Sequence, residues 1–198
     1  MPAYRDRCVS LDLGKKNMGM FVGNMRHRSI DRWRKIDLMS SEYAGKNPNA
    51  VLPRIEKFVE KMPRARVVLI EKQFHRNRIA CNLQKQLKRC LRRCPGVTVK
   101  VIDPSAVRKW FNLTKGKRAK KLSAVDVAAD ILTEGSRLTY TSPQATADVA
   151  AFLACKKRDD YADSLLQWLY ALETGLITAP PPSSETVSSK CNVITIDD

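Results

Sequence analysis

Val67-Val68-Leu69-Ile70 is an unbroken aliphatic run without polar alternation, and it ends on a carboxylate, Glu71. Such a run reads as a strand buried on both faces, which requires a sheet with helices above and below it. A second run, Cys8-Val9-Ser10-Leu11, ends the same way, on Asp12. A charge set into a buried strand is costly unless something pairs with it, so both acids stand where the fold must offer a partner. Strand ends are also where open α/β sheets place their ligand chemistry.

Periodicity predicts the elements around these two strands. Residues 7–13 and 18–23 read as antiparallel neighbours across a tight Gly-Lys-Lys-Asn connection. Residues 29–38 form a third strand whose apolar members, Ile30, Trp33 and Ile36, alternate irregularly. Helical spacing covers 49–62, 77–94, 105–111, 121–132, 146–155 and 158–172, a strand lies at 97–102, and 112–120 reads as a basic, Gly-containing loop. Three strands followed by alternating helix and strand predict an α/β fold: a mixed five-stranded sheet flanked by helices. One domain over 1–178 is expected, with 179–198 a Pro/Ser-rich segment whose composition reads as a disordered tail.

Charge narrows the function. The 198 residues carry 36 Lys+Arg against 20 Asp+Glu, a formal net charge of +16. Self-repulsion of that size calls for a polyanionic partner. From Lys72 to Lys121 there are sixteen Lys/Arg and one acid, Asp103, which fits a phosphate-binding surface better than a solvated face. A membrane is the weaker partner, because no basic amphipathic helix with aromatic anchors lies at either end and no apolar run nears the length of a bilayer span. The segment Met1 to Cys8 is charged and lacks a signal-peptide core, so an intracellular, reducing location is expected: cytoplasm, nucleus or, for a viral protein, a viral replication site. Free cysteines agree with that, since Cys90 and Cys94 are spaced as half a metal site with no second pair to complete it.

A third acidic group lies in Lys156-Lys-Arg-Asp-Asp-Tyr-Ala-Asp-Ser-Leu-Leu166. Asp160 and Asp163 are three residues apart on a helix and share a face, where they repel unless a cation sits between them. Asp159 is either a further ligand or a helix cap. Each acid alone has a bland reading as a loop or capping residue. In this order and in a basic chain, they instead suggest hard oxygen ligands for divalent cations. Two such ions, about 3.5–4 Å apart, can hold an attacking water and stabilise the leaving oxygen of a phosphodiester. Magnesium is the expected metal, with manganese as the alternative, two ions per site, held by Asp12, Glu71, Asp160 and Asp163.

Asp12-Leu-Gly-Lys-Lys-Asn17, Ile70-Glu71-Lys-Gln73 and Asp160-Tyr-Ala-Asp163-Ser-Leu together resemble the motifs of RuvC-type Holliday junction resolvases, the poxvirus branch in particular. The resemblance runs from about Cys8 to Leu172. It implies a ribonuclease H-like fold, with Asp12 on the first strand, Glu71 at the end of the fourth, and Asp160 and Asp163 on a C-terminal helix. It implies a homodimer that makes paired nicks in a four-way DNA junction, as in DNA recombination, replication or repair. It also implies a catalytic lysine near the scissile phosphate, for which Lys120 and Lys121 are the candidates. Lys16, Asn17, Gln73, Arg76, Arg78, Lys115, Lys117 and Arg118 are the expected DNA contacts. Two other readings stand beside it: a ribonuclease H-like nuclease acting on hybrids or duplexes, and a non-catalytic, structure-selective DNA-binding protein. The helices at 146–155 and 158–172 are richer in apolar residues than one sheet face needs, which marks them as candidates for a dimer contact.

Overall fold

The computed structural model describes residues 4–14, 17–38, 52–113, 117–140 and 142–181, with 117–123 as backbone only. Five strands form one sheet in the order β3-β2-β1-β4-β5: β1 (Arg7–Asp12), β2 (Met18–Asn24), β3 (Ser29–Ile36), β4 (Val67–Glu71) and β5 (Thr98–Ile102). The first three pair antiparallel, while β4 runs parallel to both β1 and β5. The mixed sheet expected from the sequence is therefore the one observed.

Strand parity decides which helices each residue meets. Val9, Leu11, Val68 and Ile70 pack with Ile55 of α1 (Leu52–Lys61) and with Leu83 and Leu87 of α2 (Arg78–Leu91). Their neighbours in sequence, Cys8, Val67 and Leu69, pack on the opposite face. That face is covered by α3 (Pro104–Trp110), α4 (Lys117–Glu134), α5 (Pro143–Ala154) and α6 (Asp159–Glu173). The aliphatic run at 67–70 is thus buried from both sides.

The irregular alternation of β3 has a definite cause. Val22 pairs with Arg32 but Gly23 pairs with Ile30, so Asp31 is an extra residue that bulges out of the ladder. The bulge puts Ile30 and Trp33, three residues apart, on the same α5/α6 face and sends Ile36 to the other. Trp33 then stacks on Phe152 of α5 at 4.4 Å and meets Phe21 and Tyr161 edge-on. Its indole N–H donates to the Tyr161 carbonyl at 3.0 Å, which fastens the first turns of α6 to β3. The outer edge of β3 is closed by Asp148 of α5, whose Oδ2 accepts the Trp33 backbone N–H at 2.8 Å.

Two helices begin earlier than periodicity predicts. Ser142 caps α5, its hydroxyl accepting from the Ala145 N–H at 3.1 Å, and Pro143 opens the first turn. The segment 117–120, expected in the loop, is the start of α4. The apolar excess of the last helix has an internal use. Tyr161, Ala162, Leu165, Leu166, Trp168 and Leu169 are all buried in the chain's own core, so these side chains are not available for a dimer contact. On α5 the large exposed apolar residue is Leu153, and Ala147, Ala150, Ala151 and Ala154 are exposed as well. At the other boundary, Ala179 packs on the core and the Pro180 carbonyl accepts from Arg26 at 2.6 Å, so the body continues past 178; 182–198 lies outside the described residues.

Candidate active site

The parity that sends Cys8 and Ser10 toward α6 also sends Asp12 there. The same counting from Val67 and Leu69 brings Glu71 to that face. Leu11 pairs with Ile70 on adjacent parallel strands, so Asp12 and Glu71 stand side by side one step further along. They share a hydrogen bond. On its other side Asp12 pairs with Gly19 of β2.

Gly19 explains how α6 comes so close. A Cβ at this position would fall onto the Asp160 backbone carbonyl. Two strand repeats further, a Cβ on Gly23 would lie 2.6 Å from the Trp168 ring. Two glycines on one face of β2 therefore form a trough in which α6 lies. The axial position of the helix is set by Gln167, whose buried amide donates to Ser10 Oγ at 3.0 Å and to the Leu11 carbonyl at 3.4 Å. Four helical residues advance about 6 Å, and two strand residues about 6.7 Å. Seating Gln167 on Ser10 therefore brings Asp163, one turn back, level with Asp12.

Electrostatics shows the same convergence. The Asp12 carboxyl is held well above the usual range, first by burial, then by its hydrogen bond to Glu71 and by the negative charges of Glu71, Asp163 and Asp160. All three other sequence-predicted acids act on it at once. A buried group in such a field must keep a proton or gain a cation. The donor set consists of carboxylate oxygens, which suits a hard divalent ion, and Asp12, Glu71, Asp160 and Asp163 would hold it. As they stand, no three ligating side chains among the described residues are gathered tightly enough to chelate one ion. Asp12 turns to Glu71, and Asp160 lies 3.7 Å from Lys157 Nζ.

The surrounding residues orient these acids. Gln73, expected as a DNA contact, directs its amide to Glu71 Oε2 at 3.3 Å, and Gln84 of α2 donates to the Glu71 carbonyl at 3.1 Å. Lys35 donates to the Lys157 carbonyl at 3.0 Å, steadying the approach to α6. Asp159 is buried in the first helical turn; the cap position itself belongs to Arg158, which makes no side-chain capping bond. Two acids in that turn, Asp159 and Asp160, also suit the positive end of the helix dipole.

Among the other expected contacts, Asn17 is half-buried beside Gly14, where a Cβ would meet the Asn17 carbonyl. Arg76 and Arg78 are exposed just beyond Glu71. Lys16 and Lys115 lie outside the described residues. Lys117, Arg118, Lys120 and Lys121 are placed on the first turns of α4 as backbone. Sequence reasoning missed Gln84, Lys157 and Gln167, which become visible only when strands and helices are brought together. It also passed over Phe74, three residues after Glu71 and 57% exposed, although an apolar side chain within a basic loop was there to be read.

No protein-family profile matches the chain, and no curated protein sequence does. Solved structures do. The yeast mitochondrial Holliday junction resolvase Ydc2 superposes with a TM-score of 0.65 at 16% identity, over 87% of this chain and 83% of its own. The fowlpox virus Holliday junction resolvase gives 0.58 at 19% identity, over 85% and 99%. Thermus thermophilus RuvC gives 0.53 at 14%, over 85% and 96%. The fold is that of the RuvC-like resolvases. The mixed α/β architecture expected from the sequence is thus shared with these structures over 85–87% of the chain.

One expected result tests the cluster without any nucleic acid. Because the folded-state pKa of Asp12 is raised, its contribution to stability is present in acid and is lost as pH rises through that pKa. In chelator, the thermal midpoint should therefore fall as pH rises above the ordinary carboxylate range, and Asp12→Asn should flatten that dependence. Magnesium at 100 times its dissociation constant should restore about 2.7 kcal/mol at neutral pH in the wild type. A wild-type midpoint indifferent to magnesium would remove the metal-binding reading.

Proposed function

We propose that this protein is a metal-dependent, structure-selective endodeoxyribonuclease that resolves four-way DNA junctions by paired nicks, acting as a homodimer. The observation that carries the reading is the convergence of Asp12, Glu71, Asp160 and Asp163 on one face at the ends of β1 and β4, in a resolvase fold with a net charge of +16. A fowlpox virus resolvase solved with its substrate Holliday junction DNA shares this fold, with a TM-score of 0.58 at 20% identity.

The residues divide the work. Divalent ions held by the four carboxylates would supply a Lewis acid for the phosphodiester and lower the pKa of an attacking water. Glu71 is held ready by Gln73 and Gln84, and Asp160 and Asp163 by the seating of α6 on Gly19 and Ser10. Exposed Arg76 and Arg78, which follow exposed Phe74 in the segment after Glu71, would supply phosphate-binding cations and a base-stacking surface. Two chains are needed because one chain has one carboxylate set, while a junction of approximate two-fold symmetry must be cut twice.

Lys120 or Lys121 supplies positive charge where negative charge develops on the phosphate. Lys120→Ala or Lys121→Ala is expected to slow single-turnover nicking by roughly 10–100-fold with a much smaller loss of binding, since the charge acts in the transition state. Single-turnover rates at saturating enzyme check this, and wild-type rates in both single variants and the double variant would exclude the role. Nick mapping on all four strands of a fixed junction, with plain duplex and RNA–DNA hybrid as controls, tests the substrate class.

A further inference from the structure

A cavity of about 580 Å³ lies between β3 and α1, outside the carboxylate site. Its rim is mainly cationic, with Asp37 the one carboxylate among five Arg and Lys: Arg32, Lys57 and Lys61 make no ion pair among the described residues, Arg34 is drawn to Asp148 at 3.5 Å, and Arg54 completes the set. Its floor is apolar, with Ile36, Phe58 and Met62 only half-buried. Phosphodiesters would satisfy the rim but not the floor. The fitting ligand is a peptide with branched aliphatic side chains followed by carboxylates.

The chain carries such a peptide: Val193-Ile194-Thr195-Ile196-Asp197-Asp198. The tether suits it as well. Pro180 is held by Arg26 in the turn between β2 and β3. That turn lies at the same end of the sheet as the start of β4, which α1 approaches through Lys61 and Pro63. The eleven residues 182–192 reach at most ~40 Å, against strand spacings of ~5 Å and a helix-on-sheet layer of ~10 Å to be crossed. A tether of this length gives an effective concentration on the order of millimolar, so modest contacts suffice to hold the segment in place.

We propose that Val193–Asp198 docks in the groove between β3 and α1 of its own chain, with Ile194 and Ile196 on the apolar floor and Asp197 and Asp198 against Lys57 and Lys61. The inference rests on the groove and the segment and does not depend on the nuclease reading. Occupied, the groove withdraws cations from any polyanion; displaced, the segment becomes free for another partner.

Carbodiimide cross-linking of the full chain, using a mixture of heavy- and light-isotope protein, tests this directly. The expected result is amide links from Asp197 or Asp198 to Lys57 or Lys61, within one chain and about tenfold over links to the surface lysines Lys85 and Lys88. Ile194→Ser with Ile196→Ser, which leaves every carboxylate in place, should cut those links about tenfold. Links spread evenly over the basic surface, or unchanged by the isoleucine substitutions, would reduce the effect to general charge attraction and overturn the proposal. Mixed-isotope links would put a second copy's segment in the groove, and links from Glu42 alone would give the groove to residues 39–51; either result also overturns it.

Discussion

Asp12→Asn, Glu71→Gln, Asp160→Asn and Asp163→Asn are each expected to lower single-turnover cleavage of a four-way junction by about 10³-fold or more, leaving junction affinity within about threefold of wild type. The size follows from what is removed. Each acid is one oxygen donor in a cluster that must hold cations against an attacking water and a leaving oxygen, and that stabilisation acts on the transition state. Binding rests on other groups, the many Lys and Arg that meet phosphates across the surface. The amide replacements preserve shape, and the hydrogen bond between Asp12 and Glu71 can survive in modified form. Gel shift and cleavage on one labelled junction separate the two effects, and normal turnover by any one variant would remove that residue from the site.

Gly19→Val is expected to be as damaging without touching a carboxylate. The new Cβ would occupy the position of the Asp160 carbonyl, which belongs to helix backbone and has no flexible end to swing aside. Either α6 moves off β2, breaking the Gln167–Ser10 contact and misplacing Asp160 and Asp163, or β2 distorts at its pairing with Asp12. Overpacking of this kind costs about 1–3 kcal/mol or more, and displacement of catalytic groups by ~1 Å can cost about 10²-fold in rate. A thermal melt and a cleavage assay on the same preparation read both effects. A variant with wild-type midpoint and rate would mean that the close seating of α6 is unnecessary. Gly23→Val, further from the acids and against the Trp168 ring, should affect stability more than rate.

The sequence was informative wherever a single element carried the signal. The runs ending at Asp12 and Glu71 announced central strands and their acids, because burial on both faces leaves no room for polar alternation. Asp160 and Asp163 were readable from helical spacing. What escaped depended on two elements meeting. Gln167 looks like an ordinary polar residue on an apolar helix until β1 lies against it, and Gln84 has no local reason to matter until α2 passes the end of β4. Gly19 stands two residues beyond the Asp12–Asn17 motif, and its purpose, a close approach by a helix about 140 residues later, comes only from packing. The bulge at Asp31 was visible only as a disturbance in the β3 alternation. The apolar surplus of α6 suggested a partner chain because the depth of its burial between the sheet, α4 and β3 cannot be counted from one helix.

Paired nicking of a fixed four-way junction measures the central claim most directly. With magnesium, the full-length protein should cut two opposed strands at symmetric positions, with the second cut following the first within the lifetime of one complex. Light scattering of the same preparation at micromolar concentration should give twice the chain mass. Matched duplex and RNA–DNA hybrid should be cut at least about 10²-fold more slowly, since structure rather than sequence is what two coupled sites can select. A monomer that makes single, unpaired nicks in junction, duplex and hybrid at similar rates would contradict the account.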